Sequence, residues 1–376
     1  MNMTIAVLPG DGIGPEVMTE ALRVLDRTAG IFGHTFKTLE APAGGAAYEQ
    51  YGIHMPEETL SVCRQADAIL FGSVGGPVDG ALLPKWKDCE RNSILELRRA
   101  FSFAVNFRPV RIYSQVAHLS PLKPAIVEAG VDLLIVRELL GDCYFGRHEE
   151  SGEIDNRSAL DESTYTEDQI RTACRAAFQA ARKRRSKVTS VDKANVLSTS
   201  RLWRRVAAEV KEEFPDVAFE DMLVDNCAMQ LVRAPGQFDV IVTTNMFGDI
   251  LSDLAAALPG SLGLCASASL NAEGKGLYEP PGGSAQDIAG LGIANPIAQI
   301  LSAAMMLRHS FGMTEEADLI ESSVEKALSL GYRTADIKSG DSTEKVVGTR
   351  DMADAVLSVM AEAPVKTLTA TTRKGD

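Results

Sequence analysis

Short apolar runs alternate with amphipathic segments along this chain, and this alternation restricts the fold more than any other feature. Thr4–Leu8 is apolar and stops at Pro9-Gly10, as a buried strand does. Pro15 then suits the first turn of a helix. The same order recurs, with a strand at 34–40 and a helix at 56–65. Such alternation predicts parallel strands joined by helical crossovers, and therefore an α/β fold.

The charge of the chain narrows the partners it can bind. The 376 residues carry a formal net charge of −13, which repels polyanions unless a local basic patch overcomes it. The one basic run, Arg182–Lys187, closes a helical pattern, where cations are favoured. We therefore expect no nucleic-acid partner.

Cysteine spacing and hydropathy bear on location. The six cysteines form no CxxC pair, which is typical of reduced thiols and not of a disulfide framework or a zinc site. The sequence shows no secretory signal and no apolar run of about 18 residues. We expect a cytoplasmic protein without a membrane span.

A glycine-rich turn follows the first predicted strand and suggests a dinucleotide site. In the G-x-G-x-x-G fingerprint that starts at Gly10, the third glycine would fall at position 15, which is proline. The spacing therefore disfavours a Rossmann-type site, and an ordinary turn before a helix explains it equally well.

Two aspartates four residues apart, Asp249 and Asp253, lie on one face of a predicted helix. Asp225 follows another predicted strand and could supply a third carboxylate. Oxygen ligands suit Mg²⁺ or Mn²⁺. A helix that shows two acids to water remains the alternative.

One lysine and three arginines are the candidate cations of a site. Lys193 lies at the C-terminal end of a predicted strand, the sheet edge where α/β proteins bind ligands, and a lysine there can be a general base. Arg98, Arg108 and Arg137 lie in or beside apolar segments and could bind a substrate carboxylate through bidentate forks. A surface lysine and structural ion pairs remain the alternatives.

Together these segments resemble the β-decarboxylating dehydrogenases of the isocitrate/isopropylmalate dehydrogenase family. The matching blocks run in order over nearly the whole chain. They are residues 8–17, Asn106-Phe107-Arg108-Pro109, Asp192-Lys193-Ala194-Asn195-Val196-Leu197, Val224-Asp225-Asn226, Asn245 to Asp253, and Gly283 to Gly290.

The resemblance implies a two-domain α/β fold with parallel or mixed sheets flanked by helices, not a Rossmann fold. Residues 1–104 and 261–376 would form a discontinuous cofactor-binding domain. Residues 105–260 would form a dimerisation and substrate domain with an arm around 148–163. The active site would lie between the domains, with Lys193 and Asp225 supplied by the partner subunit of a homodimer.

The implied reaction is NAD-dependent oxidative decarboxylation of (2R,3S)-3-isopropylmalate, a step of leucine biosynthesis, to 4-methyl-2-oxopentanoate. The three arginines would hold a carboxylate of the diacid. The three aspartates would hold Mg²⁺ or Mn²⁺ at its C2 hydroxyl. Lys193 would accept the hydroxyl proton, and Tyr144 would help to protonate the enol carbon.

The resemblance also implies a set of cofactor contacts around one loop. Asp287 would bond the ribose hydroxyls and repel a 2′-phosphate, so NAD⁺ would be favoured over NADP⁺. The expected cofactor residues are Glu90, Asn195, Glu279, Gly283, Ser284, Ala285, Asp287 and Asn295.

Substrate choice in the family rests on residues 90–98, where Ile94 and Leu95 would meet the C3 substituent. An apolar pair suits an isopropyl group, whose three carbons are worth roughly 2–2.5 kcal/mol when buried. An unpaired carboxylate there would cost more, which disfavours isocitrate. Homoisocitrate enzymes can carry an apolar pair too, although their tyrosine segment differs.

The sequence departs from the family near the tyrosine. Leu140, Asp142 and Cys143 stand in a run that is usually Thr-Gly-Gly-Ile, with Gly141 retained, and Gln286 replaces a usual proline. One alternative is therefore a paralogue that acts on another 3-substituted malate, such as benzylmalate or one with a longer alkyl group. Another is a catalytically silent ligand-binding paralogue. The tail, residues 363–376, is predicted to be disordered.

Overall fold

A computed structural model describes residues 1–362 and divides them into two compact units. One unit combines Met1–Ser93 with residues 278–362, and the other is Ile94–Leu277. The strands are β1 (Asn2–Gly10), β2 (Thr35–Glu40), β3 (Ala68–Ser73), β4 (Val105–Arg111), β5 (Asp132–Glu138), β6 (His148–Ser151), β7 (Ser158–Asp161), β8 (Lys187–Asp192), β9 (Ala218–Leu223), β10 (Val240–Thr243), β11 (Ser267–Leu270), β12 (Gly276–Glu279), β13 (Tyr332–Arg333) and β14 (Lys345–Val346). The helices are α1 (Gly14–Phe32), α2 (Gly45–Tyr51), α3 (Glu57–Gln65), α4 (Glu96–Ala100), α5 (Pro124–Glu128), α6 (Glu167–Arg182), α7 (Ser198–Lys211), α8 (Val224–Arg233), α9 (Asn245–Ala256), α10 (Ile297–His309), α11 (Thr314–Ser329) and α12 (Thr349–Ala361).

The unit formed by the two chain ends is built on a parallel β-structure. Strand β1 lies between β2 and β3 and is parallel to both. Helix α1 begins beside Pro15 and ends at Gly33, whose left-handed φ of 70° suits a helix C-cap. It packs with α10 and α12, and α11 packs against these two. Buried residues from Ile297 to Leu307 make α10 the centre of this helical layer.

The middle unit is a mixed sheet with helices on both faces. Its strand order is β11-β4-β5-β10-β8-β9, in which β4 is antiparallel to β11 and β5 while the other pairs are parallel. Successive residues of β8 face opposite sides: Ser190 accepts a hydrogen bond from Trp203 of α7, whereas Val191 joins the core beneath α8 and α9. The expected α/β class with helix-flanked sheets is confirmed.

The boundaries between the units differ from those expected from the sequence. They fall after Ser93 and after Leu277 instead of at 104/105 and 260/261. The later boundary is explained by strand pairing, because Ala268 of β11 lies opposite Phe107 of β4. The earlier one is explained by contacts of residues 101–104 with the end of β11, because the Ala104 amide donates to the Leu270 carbonyl at 2.9 Å and Asn271 Nδ2 donates to the Phe101 carbonyl at 3.1 Å.

Three other sequence expectations concern single segments. Residues 148–163 contain an antiparallel hairpin of β6 and β7, whose residues are all exposed. The basic run begins at the last residue of α6. Two of its arginines form ion pairs, Arg182 with Asp216 and Arg184 with Asp239. The tail at 363–376 lies outside the described residues. From residue 1 to 362, no helix is both long enough and apolar enough to cross a membrane.

Candidate active site

Two arginines on neighbouring strands face the two aspartates of α9. Arg137 of β5 donates to Asp249, and its Nε donates to Asn245 Oδ1 at 2.9 Å. Arg108 of β4 lies with its Nη1 3.6 Å from Asp253 Oδ1. Both guanidinium groups are nearly buried, with 2% and 10% of their side chains exposed. The arginines therefore supply the cations that offset two like charges one helical turn apart.

Tyr144 joins this cluster through its hydroxyl. Its Oη donates to Asp249 Oδ2 at 2.5 Å, and its ring lies 5.5 Å from Arg137 Cζ. Burial, together with the hydrogen bond to Asp249, raises the pKa of Tyr144 to about 12. The phenol is therefore neutral near pH 7 and holds a proton that it can donate. The structure therefore brings together a predicted substrate-binding residue, Arg137, a predicted catalytic residue, Tyr144, and a predicted metal ligand, Asp249.

A buried acid, Glu138, shapes the segment that carries the tyrosine. Its carboxylate accepts the amides of Leu140 at 2.7 Å and Gly141 at 2.9 Å. Burial raises its pKa from 4.5 to about 7, although these hydrogen bonds act in the opposite direction. Glu138 was not among the predicted residues, because nothing in a local sequence pattern marks an acid at a strand end as buried.

The raised pKa of Glu138 predicts a pH-dependent stability. The folded chain binds this proton more tightly than the unfolded chain, so its contribution to stability is full below about pH 4.5 and is lost as the pH rises to about 7. We expect Glu138→Gln to remove up to about 3 kcal/mol of that dependence. Urea unfolding at pH 5 and pH 7.5 measures it, with the exposed acid variant Glu150→Gln as control. Equal pH slopes for the wild type and Glu138→Gln would refute this prediction.

Lys193 and Asp225 form a second cluster in the same unit. Lys193 directly follows β8, Asp225 lies in the first turn of α8, and the lysine Nζ donates to Asp225 Oδ1. This hydrogen bond lowers the pKa of Asp225. Both side chains are accessible, at 28% and 58% exposure.

Only two of the three predicted metal-binding carboxylates lie on the same surface within one chain. Asp249 and Asp253 share one face of α9, where Asp253 is 67% exposed. Asp225 belongs to the lysine cluster, and residues 1–362 contain no group of three or more His, Cys, Asp or Glu side chains placed to hold a metal. Two carboxylates suit Mg²⁺ or Mn²⁺, which fill their octahedral shell with water and substrate oxygens. A third carboxylate from a second copy stays a prediction.

The substrate-side residues lie at the start of the same unit. Arg98 is buried on α4. Ile94 and Leu95 are half-buried at the end of a π-helical turn, Arg91–Leu95. Turns of this kind occur often at functional sites.

Most of the predicted cofactor residues belong to the other unit. Glu279, at the end of β12, and Ser284 are buried, whereas Glu90, Gly283 and Asp287 are exposed. Ala285 has a positive φ of 39°, and Asn295 donates to Asp336 at 3.1 Å. Asn195 is separate from this group, because it lies two residues after Lys193 in the middle unit.

The glycine turn supports this loop, a role that its spacing did not reveal. The amide after Gly12, that of Ile13, donates to the Ser284 carbonyl at 2.8 Å. Gly12 has a φ of 59°, and a Cβ built on it would lie 1.9 Å from the same oxygen. The turn therefore requires glycine at position 12 in order to pack against the loop at 279–287.

Comparison with known proteins gives one consistent result. The family model described as isocitrate/isopropylmalate dehydrogenase matches residues 4–356. A 3-isopropylmalate dehydrogenase of Halalkalibacterium halodurans is 52% identical over 366 residues, covering 96% of this chain and 98% of the relative. One of Thermotoga maritima is 52% identical over 360 residues, covering 96% and 99%. Among solved structures, isocitrate dehydrogenase from Methylococcus capsulatus superposes with a TM-score of 0.83 at 35% identity, covering 95% and 99%.

Proposed function

Because this chain belongs to the isocitrate/isopropylmalate dehydrogenase family, we propose that it oxidises and decarboxylates (2R,3S)-3-isopropylmalate to 4-methyl-2-oxopentanoate with NAD⁺ as acceptor. The family and its relatives make the chain a decarboxylating dehydrogenase. One observation carries the finer proposal: Arg137, Tyr144 and Asp249 converge, so that an anion-binding group, a proton donor and a metal-binding carboxylate lie within contact distance.

The charges of the cluster suit a dianionic substrate that arrives with a divalent cation. Arg108 and Arg137 balance Asp249 and Asp253 in the structure as it stands. A cation of charge +2 and a dicarboxylate of charge −2 leave that balance unchanged. The aspartates would then face the cation, and the arginines, joined by Arg98, would face a substrate carboxylate.

We assign the metal to Asp249 and Asp253 of one chain and Asp225 of the partner subunit. Bound Mg²⁺ or Mn²⁺ would act as a Lewis acid at the oxygen on C2. Lys193 would take the proton of the C2 hydroxyl. NAD⁺, held by the predicted cofactor residues of the loop at 279–287, would supply the acceptor for the hydride on C2. The resulting 2-oxo acid carries a carboxylate β to its ketone, so the bond to CO₂ breaks and its electron pair forms an enolate.

Tyr144 completes the reaction by delivering a proton. Its neutral phenol, 2.5 Å from Asp249 Oδ2, stands beside the carboxylate that would face the reacting oxygen. Protonation at C3 converts the enolate to the product ketone. The nearby Arg137 guanidinium offsets negative charge that develops on the phenol oxygen as it gives up the proton.

We further propose that the enzyme is a homodimer with shared active sites. Lys193 and Asp225 form a cluster of their own, apart from the cluster of Asp249, so one chain does not assemble the full set. Helices α8 and α9 also expose large apolar side chains, which are Met229, Val232 and Ile250. An apolar surface of this kind suits a subunit interface, and pairing across it would let Lys193 and Asp225 serve the partner subunit.

We assign isopropylmalate, and not another 3-substituted malate, as the substrate because Ile94 and Leu95 form an apolar pair. The departures near the tyrosine point into the protein: Asp142 is 5% exposed, and Cys143 Sγ lies 3.7 Å from Met246 Sδ. They support the loop and do not call for a larger substrate. Comparing kcat/KM for isopropylmalate, benzylmalate and homoisocitrate tests this, since a higher value for either of the latter two would overturn the assignment.

Asp287 provides a test of the cofactor. It is exposed at the end of the loop that would bind the adenosine ribose. We expect Asp287→Lys to lower the NAD⁺/NADP⁺ ratio of kcat/KM by at least about tenfold, because a carboxylate that bonds ribose hydroxyls and repels a 2′-phosphate is replaced by a cation. Steady-state kinetics with both cofactors measures it. Equal use of both cofactors by the wild type would contradict the assignment.

A further inference from the structure

Asp142 is a buried carboxylate in a backbone conformation that rarely carries a side chain. Its φ is 71° and only 5% of the residue is exposed. One carboxylate oxygen accepts the Cys143 amide at 2.9 Å and the Ser163 hydroxyl at 2.8 Å. The other accepts the Met246 amide at 3.1 Å, and the Asp142 amide donates to the Thr164 carbonyl at 3.0 Å. The residue therefore links three separate segments of the chain.

The link to Met246 replaces the usual cap of α9. Thr244 stands at the N-cap position, yet its hydroxyl is buried without a hydrogen-bond partner within residues 1–362. The first two helical amides are satisfied from elsewhere: Asn245 donates to Tyr165 Oη at 2.8 Å and Met246 donates to Asp142. Asp142 and Tyr165 thus act together as the cap.

We propose that Asp142 is a positioning residue, which fixes Tyr144 against the Asp249 end of α9. Tyr144 follows Asp142 by two residues, and Asp249 follows Met246 by three, so one carboxylate holds both sides of the Tyr144–Asp249 contact. A second bond supports it, since Asn245 Nδ2 donates to the Gly141 carbonyl at 3.1 Å. The inference rests on the proposed function, in which Tyr144 delivers the final proton.

The sequence around Asp142 explains why a side chain is used at a position that suits glycine. The family resemblance implies glycine at this position, and a φ of 71° costs a residue with a Cβ free energy, although less for aspartate than for most. Leu140 stands where the resemblance implies threonine, and it brings no hydroxyl to the loop. The hydrogen bonds of Asp142 offset the backbone strain and supply contacts that Leu140 cannot make.

A double-mutant cycle tests the proposal on the full-length dimer. We expect Asp142→Gly to lower kcat about 10- to 100-fold, the loss typical of a misplaced catalytic group, while KM for isopropylmalate changes less. In a Tyr144→Phe background the same substitution should lower kcat by less than about twofold, because its effect acts through Tyr144. Equal losses in both backgrounds would overturn the proposal.

A readout independent of activity is the thiol of Cys143, which is half-buried, whereas Cys63, Cys89, Cys174, Cys227 and Cys265 are buried. We expect Asp142→Gly to speed its reaction with a disulfide reagent at least about tenfold, because the loop opens more often. Cys143→Ser identifies the signal. An unchanged rate would overturn the ordering role.

Two matched variants separate the side chain from the backbone. Asp155→Gly makes the same change at a similar φ of 76° in the exposed hairpin and should leave kcat and thiol reactivity unchanged. Asparagine also tolerates a positive φ and keeps one of the two acceptor oxygens. The kcat and thiol reactivity of Asp142→Asn should therefore fall between those of the wild type and Asp142→Gly. This variant replaces Asp142→Gly in the tests if the glycine variant does not fold. An Asp142→Asn variant equal to Asp142→Gly in stability but with wild-type kcat would overturn the proposal. A wild type that is inactive on isopropylmalate while Asp142→Gly exposes Cys143 would show that the proposed function failed and the loop role held.

Discussion

Replacing Lys193 with methionine should lower kcat about 1,000-fold, the loss that follows removal of a positioned general base. Methionine has nearly the length of lysine but cannot accept the proton of the C2 hydroxyl. KM for NAD⁺ should change little, because the lysine lies in the other unit from most of the predicted cofactor residues. Steady-state NADH formation with saturating isopropylmalate and Mg²⁺ measures the effect.

Lys187→Met is the matched control for this variant. Lys187 is the first residue of β8 and pairs with Glu220, so its replacement removes the same charge without touching either cluster. It should keep kcat within about twofold, as surface substitutions usually do. A Lys193→Met enzyme whose kcat stays within tenfold of the wild type would show that another group takes the proton.

Asp249→Asn should be the most damaging single substitution among the aspartates. The carboxylate contacts both Arg137 and Tyr144, and we assign it to the cation as well. An amide keeps the size but removes the charge, so we expect kcat to fall at least about 1,000-fold and the Mg²⁺ concentration for half-activation to rise. Asp168→Asn, in the exposed first turn of α6, should leave both unchanged. Wild-type metal activation in Asp249→Asn would refute the assignment.

Mixing the two inactive variants tests whether the active site is shared. If Lys193 of one subunit serves the Asp249 of the other, a random hybrid dimer of Lys193→Met and Asp249→Asn has one intact site. Half of the dimers are hybrids, so unfolding and refolding an equal mixture should restore about a quarter of wild-type activity. No recovery in a mixture that contains hybrid dimers would show that each chain uses its own lysine.

Local spacing in the sequence predicted those features of the site that depend on a single helix or strand. The i,i+4 interval of Asp249 and Asp253 placed both on one face of α9, and the strand end located Lys193. The pairing of Arg108 and Arg137 with these aspartates depends on the antiparallel register of β4 and β5, in which Asn106 lies opposite Arg137. Such non-local pairing leaves no trace in spacing, so structural ion pairs and substrate-binding groups could not be separated from the sequence.

Buried acids were the residues that the sequence concealed most completely. The burial of Glu138 and Asp142 could not be predicted from local spacing, because it depends on the packing of the loop against α9 and on Tyr165. The resemblance marked Asp142 only as a departure from the usual pattern. The unit boundaries depend on such packing too, since the pairing of β11 with β4 joins residues that are distant in sequence.

The measurement that tests this account most directly is NADH formation from isopropylmalate before and after removal of divalent metal. The purified wild-type enzyme should reduce NAD⁺ with Mg²⁺ or Mn²⁺ present, lose nearly all of that activity after treatment with a chelator, and recover when either metal is restored. Undiminished turnover by the chelator-treated enzyme would contradict the claim that the aspartates hold a metal against the substrate.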